Sequence, residues 1–204
     1  MIMQTAFENL KTSFSFAQNN LVGKWINWLI LIILTAIPIL NFFTFGYVIR
    51  IFRGIEPTLD NWKDLFLDGL IMFLITLAYL IIPAVVLYVG ITMFMPLIWV
   101  AILLIILIAL MLPIAWIMFA KSEYVADAFK FKEIIRKINE ITWWRYLTSI
   151  ILLGIVIGCI SFIIAYIATY LSIYIGVGVL LPILFTPFFT IWQAKFYENL
   201  YSLN

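Results

Sequence analysis

Hydrophobic residues in this chain form three long runs that are separated by short charged segments. Residues 25–49, 69–120 and 146–194 contain no charged side chain, and these runs have 25, 52 and 49 residues. An α-helix needs about 20 apolar residues to cross the hydrocarbon core of a membrane. The second and third runs are therefore each long enough for two membrane-spanning helices joined by a tight turn.

These two runs predict two helical hairpins, over residues 69–120 and 146–195. The first hairpin would turn near Pro96 and the second near Gly176 and Gly178, because proline and glycine interrupt helices. The four predicted spans cover residues 69–91, 97–120, 146–171 and 177–195. The sequence lacks the period-2 alternation of strands, and backbone groups in lipid must be satisfied within each segment, so we expect helices.

The first run predicts a broken membrane segment over residues 25–49. Its length fits one full span, but Pro38 would interrupt the helix and Asn41 would place a polar amide at the same depth. Two arrangements are open: a kinked span with the N-terminus outside, and a re-entrant segment with the N-terminus inside. We favour the re-entrant segment, because the other two runs are each expected to return to the side they left.

The charged segments between the runs are expected to share one side of the membrane, since each hairpin brings the chain back. Residues 50–68, 121–145 and 195–204 carry 10 of the 12 Lys and Arg residues, and the hairpin turns carry none. Short loops that are rich in Lys and Arg stay in the cytoplasm. We therefore expect a multi-pass protein of the cell membrane whose main charged face is cytoplasmic.

An amphipathic stretch precedes each hydrophobic run. The stretches cover an N-terminal segment at 1–24 and two expected interfacial helices at 56–68 and 124–142. Their apolar residues recur at helical spacing, and such helices lie in the membrane interface. The predicted apolar faces are Phe7, Leu10, Phe14 and Ala17; Leu59, Trp62, Leu65 and Phe66; and Phe131, Ile134, Ile135, Ile138 and Ile141.

The composition indicates an integral membrane protein. Of 204 residues, 66% are hydrophobic and 11% are charged, with a mean hydropathy of +1.17, whereas soluble domains are about 25% charged. The predicted fold class is all-α integral membrane, in one domain over residues 1–204. It would have four full transmembrane helices in two hairpins, the broken N-terminal segment, and cytoplasmic interfacial helices.

Two residue types limit the chemistry that this chain can perform. The sequence has no histidine, which is the usual general base and a common metal ligand. Its one cysteine, Cys159, therefore cannot form a Cys–His nucleophile, and we expect it in the core. The net charge of +2 is too small to indicate nucleic-acid binding. We expect no cofactor and no enzymatic activity.

Two sequence blocks are similar to the signature of a known family. FGYVIRIFRG and EPTLDNWKDLFLDGL contain the pattern G-Y-x-x-R followed by W-x-D-L-F-x-D-G, and SEYVADAFKFKEIIRKI and the closing FYENLY also fit. The chain resembles an uncharacterised prokaryotic, mainly archaeal, family of multi-pass membrane proteins, a domain of unknown function. The family's Leu-Pro order is replaced by Pro57-Thr58-Leu59. The resemblance implies a membrane location and a fold, and no activity.

Three carboxylates, Asp60, Asp64 and Asp68, have the spacing of one helical face within the expected helix at 56–68. Carboxylates at this spacing could bind Mg²⁺ and a phosphorylated lipid headgroup. Alternatively, they form a solvated face that pairs with neighbouring basic residues. The D-G-x-x-A-R signature of such lipid enzymes is absent, because Gly69 is followed by LIMF. We therefore assign no metal site and keep these three as candidates.

A basic cluster is the first candidate contact surface. Lys130, Lys132, Arg136 and Lys137 would attract anionic lipid headgroups or a partner protein, although nearby acidic residues weaken the attraction. An ordinary anchor on the cytoplasmic side explains the same pattern, and we prefer it.

A second candidate contact is the pair Gly154 and Gly158, four residues apart in the predicted span 146–171. Small residues at this spacing let helices approach closely. They could form a homo-oligomer interface or pack within the monomer, and we favour packing within the monomer.

The interiors of the spans carry no ionisable Asp, Glu, Lys or Arg, which disfavours pumps and ion-coupled transporters. Our leading hypothesis is a non-catalytic scaffold or assembly module. Its cytoplasmic face would bind membrane lipids, a second copy, or another membrane protein. The alternative is a channel or carrier for neutral or lipid-like solutes, with a polar groove joining Asn41 to Tyr79 or Tyr166. A Mg²⁺-dependent enzyme using the Asp stripe is the third hypothesis.

Overall fold

The computed structural model describes residues 2–175, 178 and 180–202, and within them the chain is helical and has no strand. A 3₁₀ turn at Val125–Phe129 separates the fifth and sixth helices. The helices are α1 (Ile2–Leu21), α2 (Trp25–Ala36), α3 (Asn41–Arg53), α4 (Trp62–Thr92), α5 (Leu97–Ser122), α6 (Phe131–Ile141), α7 (Trp143–Ile175) and α8 (Leu180–Tyr201). The predicted all-α class is confirmed.

Three helical stretches among the described residues are long and apolar enough to cross a membrane, and a fourth is added if α1 and α2 count as one bent span. The three are Trp62–Thr92, Leu97–Ser122 and Trp143–Ser172. They contain the predicted spans at 69–91, 97–120 and 146–171. The helix that corresponds to the fourth predicted span, α8, is not among the three, so a full span at 177–195 stays a prediction. Of the turn expected before it, Gly178 is described and Gly176 lies outside the described residues.

The hairpin of α4 and α5 turns at the predicted place. α5 begins directly after Pro96, and a Cβ on Gly90 would lie 2.8 Å from the backbone nitrogen of Ile98. Further along the pair, the indole nitrogen of Trp116 donates a hydrogen bond to the Thr76 hydroxyl at 3.1 Å. The two helices therefore pack along much of their length.

The chain reverses its direction at Pro38, between α2 and α3. The Lys24 ammonium, before α2, lies 3.8 Å from the Glu56 carboxylate, which follows α3. At the other end of the pair, the hydroxyls of Thr35 and Thr44 are 3.5 Å apart. A continuous helix would separate Lys24 from Glu56 by about 48 Å at 1.5 Å per residue. The first hydrophobic run is therefore a helical hairpin.

The tip of this α2–α3 hairpin lies beside the first half of α4. The Phe42 ring packs against Phe66 and Phe73, with centroid distances of 5.6 and 5.3 Å. From Phe73, α4 continues to Thr92, which is about 28 Å further at 1.5 Å per residue. The hairpin therefore reaches only part of the way along the bundle.

Two glycines let α3 and α4 cross with their backbones in contact. A Cβ on Gly46 would lie 1.9 Å from the carbonyl oxygen of Leu65, and one on Gly69 would lie 1.8 Å from that of Phe42. No side chain fits at these distances, so only glycine permits this crossing. Both glycines lie in the sequence blocks GYVIR and WKDLFLDG, on which the family resemblance rests.

α1 packs on α8 through a face that differs in part from the predicted one. Leu10 and Ala17 are buried as expected, and Phe14, although 40% exposed, packs its ring against Phe188 and Trp192 of α8 at 5.2 and 5.1 Å. Phe7 is 65% exposed. The buried positions of the face are Ala6, Leu10, Ser13, Ala17 and Leu21. The face is rotated because polar groups at its edge bind α8: the Asn9 amide donates to the carbonyl oxygen of Phe196 at 3.1 Å.

Two of the expected interfacial helices need correction. The stretch 56–68 is not a separate helix, because α4 begins at Trp62 and runs without a break into the apolar stretch. The stretch 124–142 is divided into the 3₁₀ turn and α6. The Tyr79 hydroxyl of α4 donates a hydrogen bond to the Ala128 carbonyl at 2.6 Å and so holds the 3₁₀ turn against the bundle.

The glycine crossing predicts a sharp difference between two pairs of alanine variants. Gly46→Ala and Gly69→Ala should each destabilise the protein by about 1–3 kcal/mol, because the added Cβ forces two backbones apart. Gly154→Ala and Gly158→Ala are the matched controls, since a Cβ at either position meets nothing within 4 Å. Thermal unfolding in detergent measures both pairs, and equal melting temperatures for all four variants would contradict the crossing.

Candidate functional site

The charged segments of the chain meet at one end of the helix bundle, which we call the charged end. The ammonium groups of Lys121 and Lys137 lie 5.2 and 4.9 Å from the ring centroid of Tyr201. Arg53 reaches the end of α5, and Asn9 reaches the end of α8. The N-terminal helix, the α3–α4 loop, the end of α5, α6 and the end of α8 are thus neighbours.

Arg50 fixes the loop between α3 and α4 at this end. Its guanidinium is buried and donates hydrogen bonds to the Thr58 carbonyl at 2.7 Å and to the Thr58 hydroxyl at 2.8 Å. It also binds the carbonyl and the carboxylate of Asp60. The Thr58 hydroxyl donates to the same carboxylate, and this bond, followed by that of Arg50, lowers the pKa of Asp60.

Arg53 of α3 forms hydrogen bonds with both α4 and α5. It donates two hydrogen bonds to the Asp68 carboxylate of α4, at 2.6 and 2.9 Å, and one to the Ala120 carbonyl of α5 at 3.2 Å. A bidentate pair between an arginine and a carboxylate is strong and has a defined geometry. Both side chains are largely buried, at 21% and 14% exposure. This contact therefore sets the positions of α3, α4 and α5 at the charged end.

The three candidate metal carboxylates do not lie on one helical face. Asp60 precedes α4, so the prediction of a single helical stripe was wrong for this residue. Asp60 binds Arg50, Asp68 binds Arg53, and Asp64 accepts a hydrogen bond from the Asn61 amide. Nowhere in the described ranges do three His, Cys, Asp or Glu side chains come together in a group that could hold a metal ion. The arrangement favours the paired-charge alternative.

The basic cluster is largely paired with acidic neighbours. Lys130 lies 2.6 Å from Asp127, and this hydrogen bond raises the pKa of Lys130 and lowers that of Asp127. Arg136 and Lys137 both approach Glu140, at 3.7 and 3.3 Å. These pairs reduce the field that an anionic lipid would meet.

The predicted apolar face of α6 is partly buried and partly exposed. Ile134, Ile138 and Ile141 are buried against the bundle, whereas Phe131 and Ile135 are exposed. Lys132 is exposed as well and makes no ion pair with any residue that the structure describes. The helix thus presents an apolar edge with a basic residue beside it, which is typical of helices at a membrane interface.

The glycine pair of α7 does not pack within the monomer, contrary to our preferred interpretation. A Cβ added at Gly154 or Gly158 would meet nothing within 4 Å. Cys159, which we expected in the core, is exposed on the same helix. By contrast, Gly46 and Gly69 do bring two helices into backbone contact.

Two of the polar groups in the spans make contacts between elements of the bundle, and a solute groove that joins Asn41 to Tyr79 or Tyr166 stays a prediction. The Thr76 hydroxyl is engaged by Trp116, and the Tyr79 hydroxyl is engaged by the Ala128 carbonyl. Tyr166 is 70% exposed on the surface of the bundle. The cavity beside Tyr79 has a volume of about 160 Å³ and a mostly apolar lining. These contacts give a channel or carrier no support.

A polar cavity of about 270 Å³ lies at the turn between α1 and α2. We call residues 22–24 the elbow, because the axes of the two helices differ by 102° there. Lys24 and Lys195 line this polar cavity together with Glu56. The remaining lining residues are Phe16, Asn19, Asn20, Ile51, Gly54 and Ile55. α1, α3 and α8 all contribute to it.

An apolar groove begins on the other side of the elbow. Its first part, of about 310 Å³, is lined by Trp25, Trp28, Leu29, Ile32, Leu184 and Phe185. Trp28 and Phe185 also line its second part, which continues to Phe188 and Trp192 of α8. Trp25 stacks on Trp28 at a centroid distance of 5.6 Å, and the Trp28 indole donates to the Leu184 carbonyl at 3.0 Å.

Sequence reasoning missed this polar cavity and the groove beside it. The available signal was the dipeptide Lys24-Trp25, because lysine followed by tryptophan at the start of an apolar run marks a membrane interface. Lys195, Glu56 and Asn20 could not be assigned to the same place. The reversal at Pro38 brings Glu56 to Lys24, and the packing of α1 on α8 brings Lys195 beside Phe16.

A comparison with known proteins identifies one family. Residues 29–184 match the model of the family described as "Protein of unknown function (DUF4013)". No curated protein matches, and no solved structure matches. The match begins after α1, so it does not include the polar residues that α1 contributes to the charged end.

The bidentate pair predicts a stability effect that depends on burial. Arg53→Ala should destabilise the protein by about 3 kcal/mol, because it leaves the Asp68 carboxylate partly buried without its partner. Arg136→Ala removes an exposed pair and should change stability by less than about 0.5 kcal/mol. Thermal unfolding in detergent compares the two variants. A loss for Arg136→Ala as large as that for Arg53→Ala would contradict the assignment.

Proposed function

The chain belongs to the DUF4013 family, whose description assigns no activity, and from its own geometry we propose that it is a non-catalytic membrane module. In this proposal the charged end is a cytoplasmic surface that binds membrane lipid headgroups. The hydrophobic helices hold this surface at the membrane.

The reversal at Pro38 is the observation that carries the proposal. Because Lys24 contacts Glu56, the N-terminal helix lies on the same side as the α3–α4 loop. All 12 Lys and Arg residues of the sequence then fall on one side of the membrane. Positive charge on one side places that side in the cytoplasm. The hairpin of α2 and α3 is a re-entrant element in this arrangement, and its N-terminus is inside.

The layer at the charged end has the composition of an interfacial surface. α1 and α6 each bury one apolar face on the bundle and leave a second apolar edge exposed, with Phe7 and Phe14 on α1 and Phe131 and Ile135 on α6. Apolar edges beside charged residues sit between the headgroups and the acyl chains of lipids. Basic side chains close to such a surface attract anionic headgroups.

The hydrogen bonds of the polar residues support a non-catalytic role. The carboxylates that resembled a metal stripe are each bound to a neighbouring side chain. No buried side-chain nitrogen or oxygen among the described residues lacks a hydrogen-bond partner. Buried polar groups without a partner are one mark of catalytic sites.

Cysteine labelling tests the topology. In a Cys159→Ser background, Met93→Cys should be labelled by a membrane-impermeant maleimide that is added on the extracellular side of sealed vesicles. This exposed residue lies at the α4–α5 turn. Tyr124→Cys at the charged end should be labelled only from the cytoplasmic side. Ile39→Cys, at the tip of the α2–α3 hairpin, should resist the reagent from both sides because it lies in lipid. Labelling of position 39 from outside would show that the first run crosses the membrane.

Native mass spectrometry of the detergent-purified protein tests the function. We expect bound phospholipid that survives gentle detergent exchange, and equal retention by Asp64→Asn, because Asp64 is exposed and bound only through Asn61. A metal-dependent turnover of phosphorylated lipid that Asp64→Asn abolishes would overturn the non-catalytic assignment.

A further inference from the structure

We propose that the elbow between α1 and α2 binds one phospholipid of single net negative charge. Its phosphate would lie between Lys24 and Lys195 in the polar cavity, and an acyl chain would follow the apolar groove. This site deepens the proposed function and rests on it, because the elbow must lie at a membrane surface.

The charges that line the polar cavity fit one phosphodiester. Lys24 and Lys195 place two positive charges in the lining and Glu56 one negative charge. Lys195 is already paired with Glu198, at 2.6 Å, and Glu198 does not line the cavity. The Lys24–Glu56 pair is loose, at 3.8 Å between side chains that are 48% and 78% exposed. Exposed pairs of this kind contribute little, so a phosphate can replace Glu56 as the partner of Lys24, whose single positive charge matches one phosphodiester. Lys195 then adds a further hydrogen-bond donor.

The size and the amides of the polar cavity fit a headgroup with hydroxyls. A volume of about 270 Å³ equals roughly nine waters at about 30 Å³ each, which exceeds the size of a small inorganic ion. Asn19 and Asn20 place two amide side chains in the lining, although Asn20 is largely buried and its amide already donates to the Phe16 carbonyl at 2.9 Å. The Asn19 amide can donate to a hydroxyl and accept from one, and the Asn20 amide oxygen can accept from one. A glycerol headgroup therefore matches the cavity better than a trimethylammonium headgroup does.

A continuous surface joins the polar cavity to the apolar groove. Lys24 lines the polar cavity and also a shallower one, which it shares with Trp25. Trp25 in turn lines the apolar groove with Trp28 and Leu29. The order is cation, indole and aliphatic side chain, which is the order of phosphate, glycerol and acyl chain in a lipid at the interface. An ordinary lipid-facing helix offers only the apolar part.

Lipid binding to the purified full chain, measured by native mass spectrometry, tests the site. The lipids are phosphatidylglycerol and phosphatidylcholine with the same acyl chains, and phosphatidylglycerol should be retained preferentially. Lys24→Gln and Lys195→Gln should each lower its retention about fivefold, the effect of one lysine near a lipid surface. Lys24→Arg and Lys195→Arg keep the positive charge and should retain phosphatidylglycerol as the unchanged protein does. These variants separate loss of charge from misfolding.

A matched control separates this site from general attraction to the charged end. Lys63→Gln removes an exposed lysine from the same face, away from the lining. It should leave the preference for phosphatidylglycerol unchanged. An equal loss in this control and in Lys24→Gln would overturn the site.

Removing the apolar part distinguishes a lipid from a free phosphate ester. Trp25→Ala should weaken the retention of phosphatidylglycerol while the lysines are intact. Soluble glycerol phosphate should compete poorly, because it has no acyl chain. Strong binding of glycerol phosphate that does not change in Trp25→Ala would show a phosphate site and refute the lipid site.

The two proposals can fail separately. If the cysteine at position 39 is labelled from outside, the proposed function is refuted, and this site is refuted with it. If the labelling results agree with the proposed topology and the lysine variants bind phosphatidylglycerol normally, only this site is refuted.

Discussion

The contact between the backbones of α3 and α4 is the constraint on which the charged end depends. Gly46 lies against the Leu65 carbonyl and Gly69 against the Phe42 carbonyl, at distances that exclude any side chain. This closeness brings Arg50 and Arg53, in the last turns of α3, within reach of the α3–α4 loop and of Asp68. A buried charge requires such a partner, because burial without one is costly. The two glycines, Arg50, Arg53 and Asp68 therefore act as one structural unit.

The hairpin of α2 and α3 connects this unit to the N-terminal helix. Pro38 lies in the break between the two helices, and the ends of the hairpin return to the level of Lys24 and Glu56. α1 then reaches across the end of α8, where Trp192 donates a hydrogen bond to the Leu10 carbonyl. One reversal in the chain thus determines which segments form the surface of the charged end, and it creates the elbow with its polar cavity.

Polar residues in this protein serve mainly to hold helices together. Tyr79, Thr76 and Trp116 form hydrogen bonds between elements of the bundle, and Asn9 does the same between α1 and α8. Such bonds are used in membrane proteins because lipid offers no competing partner for a polar group. At the elbow, in contrast, Lys24 and Glu56 make only a loose contact, and both side chains are partly exposed.

The sequence by itself determined the class, the long helices of the bundle and the break near Pro38, because run length and proline act locally along the chain. It also identified the residues of the signature, although not their purpose. Only the tertiary structure decided that Asp60, Asp64 and Asp68 have separate partners, that Phe7 and Phe14 are exposed, and that the α7 glycines are uncovered. These outcomes depend on which segments become neighbours in the folded chain. Helical spacing shows that residues share a face, but it does not show whether that face packs on another helix or stays exposed. The polar cavity is the clearest case, because its lining comes from α1, α3 and α8, which are distant in sequence.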